Sequence, residues 1–407
     1  MTLRIDHVTH HGMGRAGDAL IPRTLPGEEV DLLPDGTVRI VTPSPLRVAP
    51  PCRHYRQCGG CAMQHASDDF VAEWKAGIVA RALAGQGLQA AVTGVLTSAP
   101  RSRRRARLSA RRTKGGALVG FHARASDQIV ATPDCQLLEP ALQSLFPALE
   151  ALTILAASRT AKIALTITAS VNGPDVQVHG GRALTPDLRR DLAQWAHGAG
   201  VARLVWGDDP VALLQPPVQR MGRASVIPPP GAFLQATSQG QAALVDLVRA
   251  GVGPATRIVD LFAGCGTFAL PLAEGAEVHA VEGDAAMVQA LDKAARNTDG
   301  LKKVTVEVRD LFRRPLEPDE FKGITGVVID PPRAGAEAQI ACLAVARPPV
   351  IAMVSCNPIT FARDAKVLVG AGFTLDWVQV VDQFRWSAHV ELVARFTAPH
   401  IARNKAK

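Results

Sequence analysis

Long apolar runs are missing from this chain: no stretch of its 407 residues is apolar enough, for long enough, to span a bilayer. The opening Met-Thr-Leu-Arg-Ile-Asp lacks the apolar core of a secretory signal. Both absences point to a cytoplasmic protein with no membrane partner. Aromatic residues are scarce too, at 4% with Tyr55 as the single tyrosine, yet an apolar share of 47% excludes a disordered chain. Seven cysteines in a reducing compartment do not make a disulfide framework, so those that cluster read as ligands or catalysts.

At 407 residues the chain exceeds one ordinary core, and two or three domains are expected. Its net charge of +8 suits a partner rich in phosphates. The charge concentrates in Arg101, Arg103, Arg104, Arg105, Arg107, Arg111, Arg112 and Lys114, read either as an RNA grip or as a plain solvated face.

Residues 1–48 read as short strands punctuated by Gly12, Gly14, Gly17, Leu25-Pro26-Gly27-Glu28 and Pro34-Asp35-Gly36, the pattern of a small β-barrel. Residues 49–230 hold a cysteine cluster, then a helical stripe of Phe70, Val71, Trp74, Ile78, Val79 and Leu83, then a mixed α+β region. Pro228-Pro229-Pro230-Gly231 forms a linker, and residues 231–407 alternate strands and helices as a doubly wound, Rossmann-like α/β domain does.

Within that last domain, the strand ending at Asp260 runs into Phe262-Ala263-Gly264-Cys265-Gly266-Thr267, where glycines let the backbone approach a ligand. The spacing is Gly-x-Gly and lacks the third glycine of a dinucleotide fingerprint. Asp260, Glu282 and Asp310 end successive predicted strands, and acids there suit a sulfonium amino acid and a ribose better than phosphates. Glu282 stands one strand-helix-strand step beyond Asp260, where a carboxylate can accept ribose hydroxyls, and Asp310 is placed toward an adenine. Three more motifs follow in order: Asp330-Pro331-Pro332-Arg333, Val354-Ser355-Cys356-Asn357-Pro358 and His389-Val390-Glu391.

In this order the motifs resemble the RNA uracil-5 methyltransferase family, and the likeness runs from the N-terminal region to Glu391. The resemblance implies a class I S-adenosylmethionine-dependent enzyme. Cys356 would add to C6 of uridine, activating C5. Glu391 would remove the C5 proton. Asp330 would orient the base or the cysteine. By the same resemblance Gln235, Phe262, Thr267, Glu282, Asp310 and Asp330 match cofactor positions, while Phe233, Gln235 and His389 stand near the base. Thr237 and Thr267 depart from family asparagines. Asp-Pro-Pro-Arg lacks the aromatic clamp of amino-group methyltransferases, and no cysteine stands at 331–334 as in cytosine-5 enzymes, which makes uracil the better target, with cytosine as a further reading beside it. Cys265 and Cys342 have no comparable setting and are expected to be buried structural thiols.

Cys52, Cys58 and Cys61 are spaced Cys-x5-Cys-x2-Cys, with Cys135 far downstream. Spacing alone admits zinc or an iron-sulfur centre. The segment Cys58-Gly59-Gly60-Cys61-Ala62-Met63-Gln64-His65 resembles the iron-sulfur segment of the ribosomal-RNA branch, which implies a [4Fe-4S] cluster held by the quartet and favours 23S ribosomal RNA over transfer RNA. Residues 1–48 look like a shortened RNA-binding TRAM domain. The expected partner is RNA, reached in a loop or flipped out of a helix, with no obligate protein partner.

Overall fold

The computed structural model describes residues 2–399. Its largest sheet has eight strands in the order Val304–Val308, Glu277–Glu282, Arg257–Leu261, Gly326–Ile329, Val350–Ser355, Glu391–Thr397, Thr374–Asp382, Val92–Thr97. The first five are parallel. Glu391–Thr397 runs antiparallel to both its neighbours. The central strands Gly326–Ile329 and Val350–Ser355 are buried along their whole length, as strands covered on both faces must be. Their carboxyl ends, with those of Arg257–Leu261 and Glu277–Glu282, open on one edge, the place where open α/β sheets bind ligands.

The eighth strand comes from outside the 231–407 segment. Val92–Thr97 pairs in parallel with Thr374–Asp382, and the preceding helix Asp68–Ala84 packs Val71, Trp74, Ile78, Val79 and Leu83 into the same core as Ile351, Phe361 and Phe396. The helix is capped by Ser67 and has Asp68 and Asp69 in its first turn, where the helix dipole favours acids. Lys75 lies on its buried stripe. The ammonium meets Asp382 at 2.5 Å, with both side chains at most 1% exposed, and also donates to the Phe384 carbonyl at 3.1 Å.

The central region is a seven-stranded sheet, in the order Ile129–Ala131, Gly116–His122, Arg105–Thr113, Lys162–Thr168, Asp175–His179, Arg203–Trp206, Asp209–Leu213. Helices Phe146–Ala156 and Pro186–Gly198 contribute Phe146, Leu149, Leu188 and Leu192 to its core. The first residues form two three-stranded sheets around Ile5, Ala16, Ile21 and Val30. Gly14 is no turn glycine: it lies in the strand Met13–Ala16, where a Cβ would come 2.0 Å from Thr24 Oγ1. Among the described residues no helix is long and apolar enough to cross a membrane.

The arginine run divides: Arg105, Arg107 and Arg111 share the outer face of the strand Arg105–Thr113, and other members turn inward. Strand geometry alternates it, so Arg107 and Arg111 are exposed while Arg104 is buried, donating from Nε to the Gln235 carbonyl (3.0 Å) and from Nη2 to Gln241 Oε1 (2.6 Å). Arg103 points elsewhere, with its guanidinium 6.0 Å from the Phe384 ring.

Candidate active site

A cleft of about 660 Å³ opens over the carboxyl edge of the large sheet, a size within the range of about 300–1,000 Å³ usual for small-molecule sites. Its lining includes Phe233, Gln235, Phe262, Gly264, Thr267 and Glu282. Asp310, Asp330, Cys356, His389 and Glu391 complete the set expected from the sequence. Two expected residues stand off it. Asp260 is fully buried beneath the glycine turn, and its carboxyl oxygens have no side-chain partner. Burial, then Asp330, raise this carboxyl well above its ordinary value, while the Ala269 N–H favours the ionised form. Gly266 serves packing, with φ of 94° and a would-be Cβ 2.9 Å from Leu270.

On the cofactor side, Glu282 shapes the turn. Its Oε2 accepts from the Gly264 N–H and its Oε1 from the Asp284 N–H, both at 2.9 Å. Gly264 has φ of 55°, a left-handed value that glycine adopts freely. Phe262 holds φ of 62° without that freedom, and its ring lies 5.4 Å from that of Phe312. These two rings beside Asp310 present aromatic faces suited to a purine. Cys265, expected only as a structural thiol, is buried yet lines the cleft, whereas Cys342 is half-buried rather than buried. Thr237 is taken up as the N-cap of helix Ser238–Val252 and bonds Ser98 Oγ at 2.8 Å, so it is not a cofactor contact.

Cys356 is half-buried just past the strand Val350–Ser355. Burial pushes its thiol up to about 11; Glu391 and Asp330 add to the rise, and Arg333 opposes it. Glu391 begins the strand Glu391–Thr397 and is raised to about 8 by burial and then by Asp330. Burial likewise lifts Asp330, which directly follows Gly326–Ile329, to about 7. Asp330 acts on Glu391, so the charge of one acid opposes ionisation of the other and both are shifted toward the protonated form.

Gln383 organises Glu391. Its Nε2 donates to Glu391 Oε2 at 2.9 Å and to Gln235 Oε1 at 2.5 Å, while its Oε1 accepts from the Ala236 N–H at 2.7 Å. Both amide N–H groups are thereby engaged, and one of them fixes a carboxylate oxygen. His389 Nδ1 lies 2.6 Å from Arg333 Nη2. A guanidinium only donates, so Nδ1 accepts and the neutral ring carries its proton on Nε2. Burial and Arg333 lower His389, which keeps the ring neutral. Gln383, Phe384 and Arg103 were not expected here; Arg103 was legible only as one of eight cations.

The cysteine loop meets the same end of the molecule. Cys61 and Cys135 are buried in the central core with Tyr55 and Trp386, and Cys52 packs beside them. Burial pushes Cys61 to about 12, and Cys135, Cys58 and Cys52 each act on it. Trp386, from the loop that also carries Gln383 and Phe384, accepts at its carbonyl from the Ala62 and Met63 N–H groups at 2.7 and 2.9 Å. The loop between Thr374–Asp382 and Glu391–Thr397 thus touches both the cysteines and the cleft. Among the described residues, no three His, Cys, Asp or Glu side chains are arranged to hold a single metal ion.

Residues 231–395 match the family described as tRNA (uracil-5-)-methyltransferase. An uncharacterised RNA methyltransferase of Mesorhizobium japonicum is 41% identical over 95% of each chain. The 23S rRNA (uracil(1939)-C(5))-methyltransferase RlmD of Halomonas elongata is 35% identical, over 99% of this chain and 90% of its own. The crystal structure of Pyrococcus abyssi tRNA (uracil-54, C5)-methyltransferase in complex with S-adenosyl-L-homocysteine superposes with a TM-score of 0.76 at 23% identity, covering 98% of this chain and 100% of that one, a likeness of fold. With full-length relatives above 30% identity and an acid-lined cleft on a class I methyltransferase sheet, this chain belongs to the RNA uracil-5 methyltransferase family.

Proposed function

We propose that the chain methylates C5 of one uridine in 23S ribosomal RNA, with Cys356 as nucleophile and Glu391 as base. The observation that carries this reading is that Cys356 shares one cleft with Glu282 and Asp310 and with Glu391 and Asp330, the last two standing near enough to act on the thiol. Ribosomal RNA is favoured by the likeness to the Halomonas protein along nearly the whole chain.

S-adenosylmethionine, when bound, supplies a methyl group on a positively charged sulfur. Addition of the Cys356 sulfur to C6 forms the S–C6 bond and moves the C5–C6 π electrons toward C5 and O4, the thiol proton leaving to solvent. C5 then has the electron pair that accepts the methyl group. Glu391 takes the C5 proton, the C5–H electrons rebuild the double bond, and the S–C6 bond breaks to return the thiolate. A nearby cation favours the Glu391 carboxylate before transfer. Once that charge is lost, the same carboxylate becomes more basic, as the C5 proton must leave. Neutral His389, with Nε2–H directed by the Arg333 contact on Nδ1, is suited to donate to a uracil carbonyl.

For the cysteine quartet, the likeness of the segment 58–65 to an iron-sulfur segment supports a polynuclear centre. A cluster takes up the thiolate charge that burial opposes. Cys52, Cys58, Cys61 and Cys135 would hold it, in a structural role beside Trp386.

The test is nucleoside mass spectrometry of ribosomal and transfer RNA from cells with and without the gene. Loss of 5-methyluridine from 23S RNA supports the proposal, loss from transfer RNA moves the substrate, and no loss from either sinks the uridine assignment.

A further inference from the structure

Cys356 belongs to two clefts. Besides the acid-lined one, a second cleft of about 530 Å³ reaches Cys356, and the two share Arg333, Cys356 and His389. They differ in their carboxylates. The first has Glu282, Asp310, Asp330 and Glu391 in its wall, beside Arg103 and Arg333. The second has no carboxylate: it shares Arg333 and the neutral His389 and adds Arg81 with the imidazoles of His10 and His11. A sulfonium is drawn to the first, and a phosphodiester is repelled from it and drawn to the second.

The second cleft is built from three parts of the chain held in register. Helix Asp68–Ala84 supplies Ile78, Arg81 and Ala82. From that helix Trp74 Nε1 donates to the Thr9 carbonyl at 3.2 Å, which ties down the hairpin carrying His10 and His11. The two imidazole rings lie 3.8 Å apart, tilted by 44°, and both residues are exposed. Helix Pro358–Gly370 brings its N-terminus to the cleft through Asn357, Pro358 and Ile359, adding partial positive charge. Its first turn leaves Ile359 64% exposed, an apolar side chain beside the thiol with nothing over it.

We propose that this cleft seats the nucleotide adjoining the target uridine, its phosphate on Arg81 and its base against the His10–His11 pair and Ile359. The inference rests on the reading of the chain as an RNA uracil-5 methyltransferase. A uracil lying in the acid-lined cleft with C6 at Cys356 has its ribose at the junction, and the attached phosphates must leave on the side without carboxylates. Base stacking on imidazole and a single cation per phosphate are both usual means of holding single-stranded RNA. The N-terminal hairpin then belongs to the substrate site itself.

The test uses the full-length, cluster-loaded protein with unmodified 23S ribosomal RNA transcript, and compares wild type with Arg81→Ala, Arg81→Lys and the double variant His10→Ala/His11→Ala. Losing one charge-assisted phosphate contact should weaken RNA binding about tenfold. It should also lower the slope of log affinity against log salt by about 1. Arg81→Lys should restore the slope. The histidine variant should weaken binding by about tenfold through lost stacking, leaving the slope unchanged. Affinity for S-adenosylhomocysteine should stay the same in all of them, which excludes misfolding. Unaltered RNA affinity and salt slope in both alanine variants would overturn the site. RNA that binds in an Arg81-dependent way but is never methylated would count against the uracil-5 reading and leave the site standing; methylation with Arg81-independent affinity would do the reverse.

Discussion

Exchanging S-adenosylmethionine for S-adenosylhomocysteine removes one positive charge, and the methyl group that bears it, from a ligand otherwise unchanged; the pair is therefore a charge probe for the cleft. Burial raises Asp330 to about 7 and Glu391 to about 8. A unit charge about 5 Å from a carboxylate is worth about 3 kcal/mol at an effective dielectric of about 20, or about 2 pKa units. The sulfonium should therefore lower both acids, releasing on the order of one proton per molecule bound near pH 7.5 from the pair. The sign follows from the raised values: both groups keep their protons below them, and a cation binds better once they are lost. Affinity for S-adenosylmethionine should rise about tenfold per pH unit near neutrality and level off above about pH 9. Isothermal titration calorimetry at pH 7.5 in buffers of different ionisation enthalpy measures the proton release directly. S-adenosylhomocysteine should show little release, and Glu391→Gln should release less than the wild type. Equal release for the two ligands in the wild-type protein would refute the argument, because the acids would then not sense the sulfur.

Four further outcomes are expected. Cys356→Ala should abolish methylation with cofactor affinity nearly unchanged, and loss of cofactor binding in calorimetry would instead make the thiol part of the pocket wall. Glu391→Gln should let a denaturant-resistant RNA–protein adduct build up on gels, since elimination waits for the C5 proton; persistent turnover without adduct would point to another base. Lys75→Met leaves Asp382 buried and unpaired and should destabilise the fold by about 3–5 kcal/mol in urea denaturation, a change under 1 kcal/mol being inconsistent with the buried pair described above. Cys58→Ser should lose iron and visible absorbance together and alter the fluorescence emission attributable to Trp386, whereas a wild-type protein purified without oxygen and containing zinc would overturn the iron assignment.

Much of the site was legible because it lies at strand ends. Asp330, Cys356 and Glu391 each stand at or next to a strand terminus, where a run of apolar residues announces the strand and the first polar residue announces the edge. Gln383 was not legible: it has no periodic signal, and its importance arises from Gln235 and Glu391, 148 and 8 positions away. Arg103 was hidden among like residues, since a basic run does not tell which member turns inward. Lys75 did leave a trace. A lysine four residues after Val71 and four before Val79 sits on the apolar stripe, which asks for a buried partner. The eighth strand escaped because alternation in Val92–Thr97 is weak and its partner lies at the far end of the chain.

That pairing has a consequence for how the protein comes into being. The bond from Thr93 Oγ1 to the Val378 carbonyl closes a loop of 285 positions. During synthesis the strand Val92–Thr97 emerges long before Thr374–Asp382 exists, so the central sheet can form while its own upstream flank still waits unpaired. Closure of the catalytic sheet is then a late, non-local event of the kind that folds slowly. A nascent chain stopped short of Thr374 leaves that strand without its edge and Lys75 without its counter-ion, so the catalytic sheet closes only after Thr374–Asp382 has emerged.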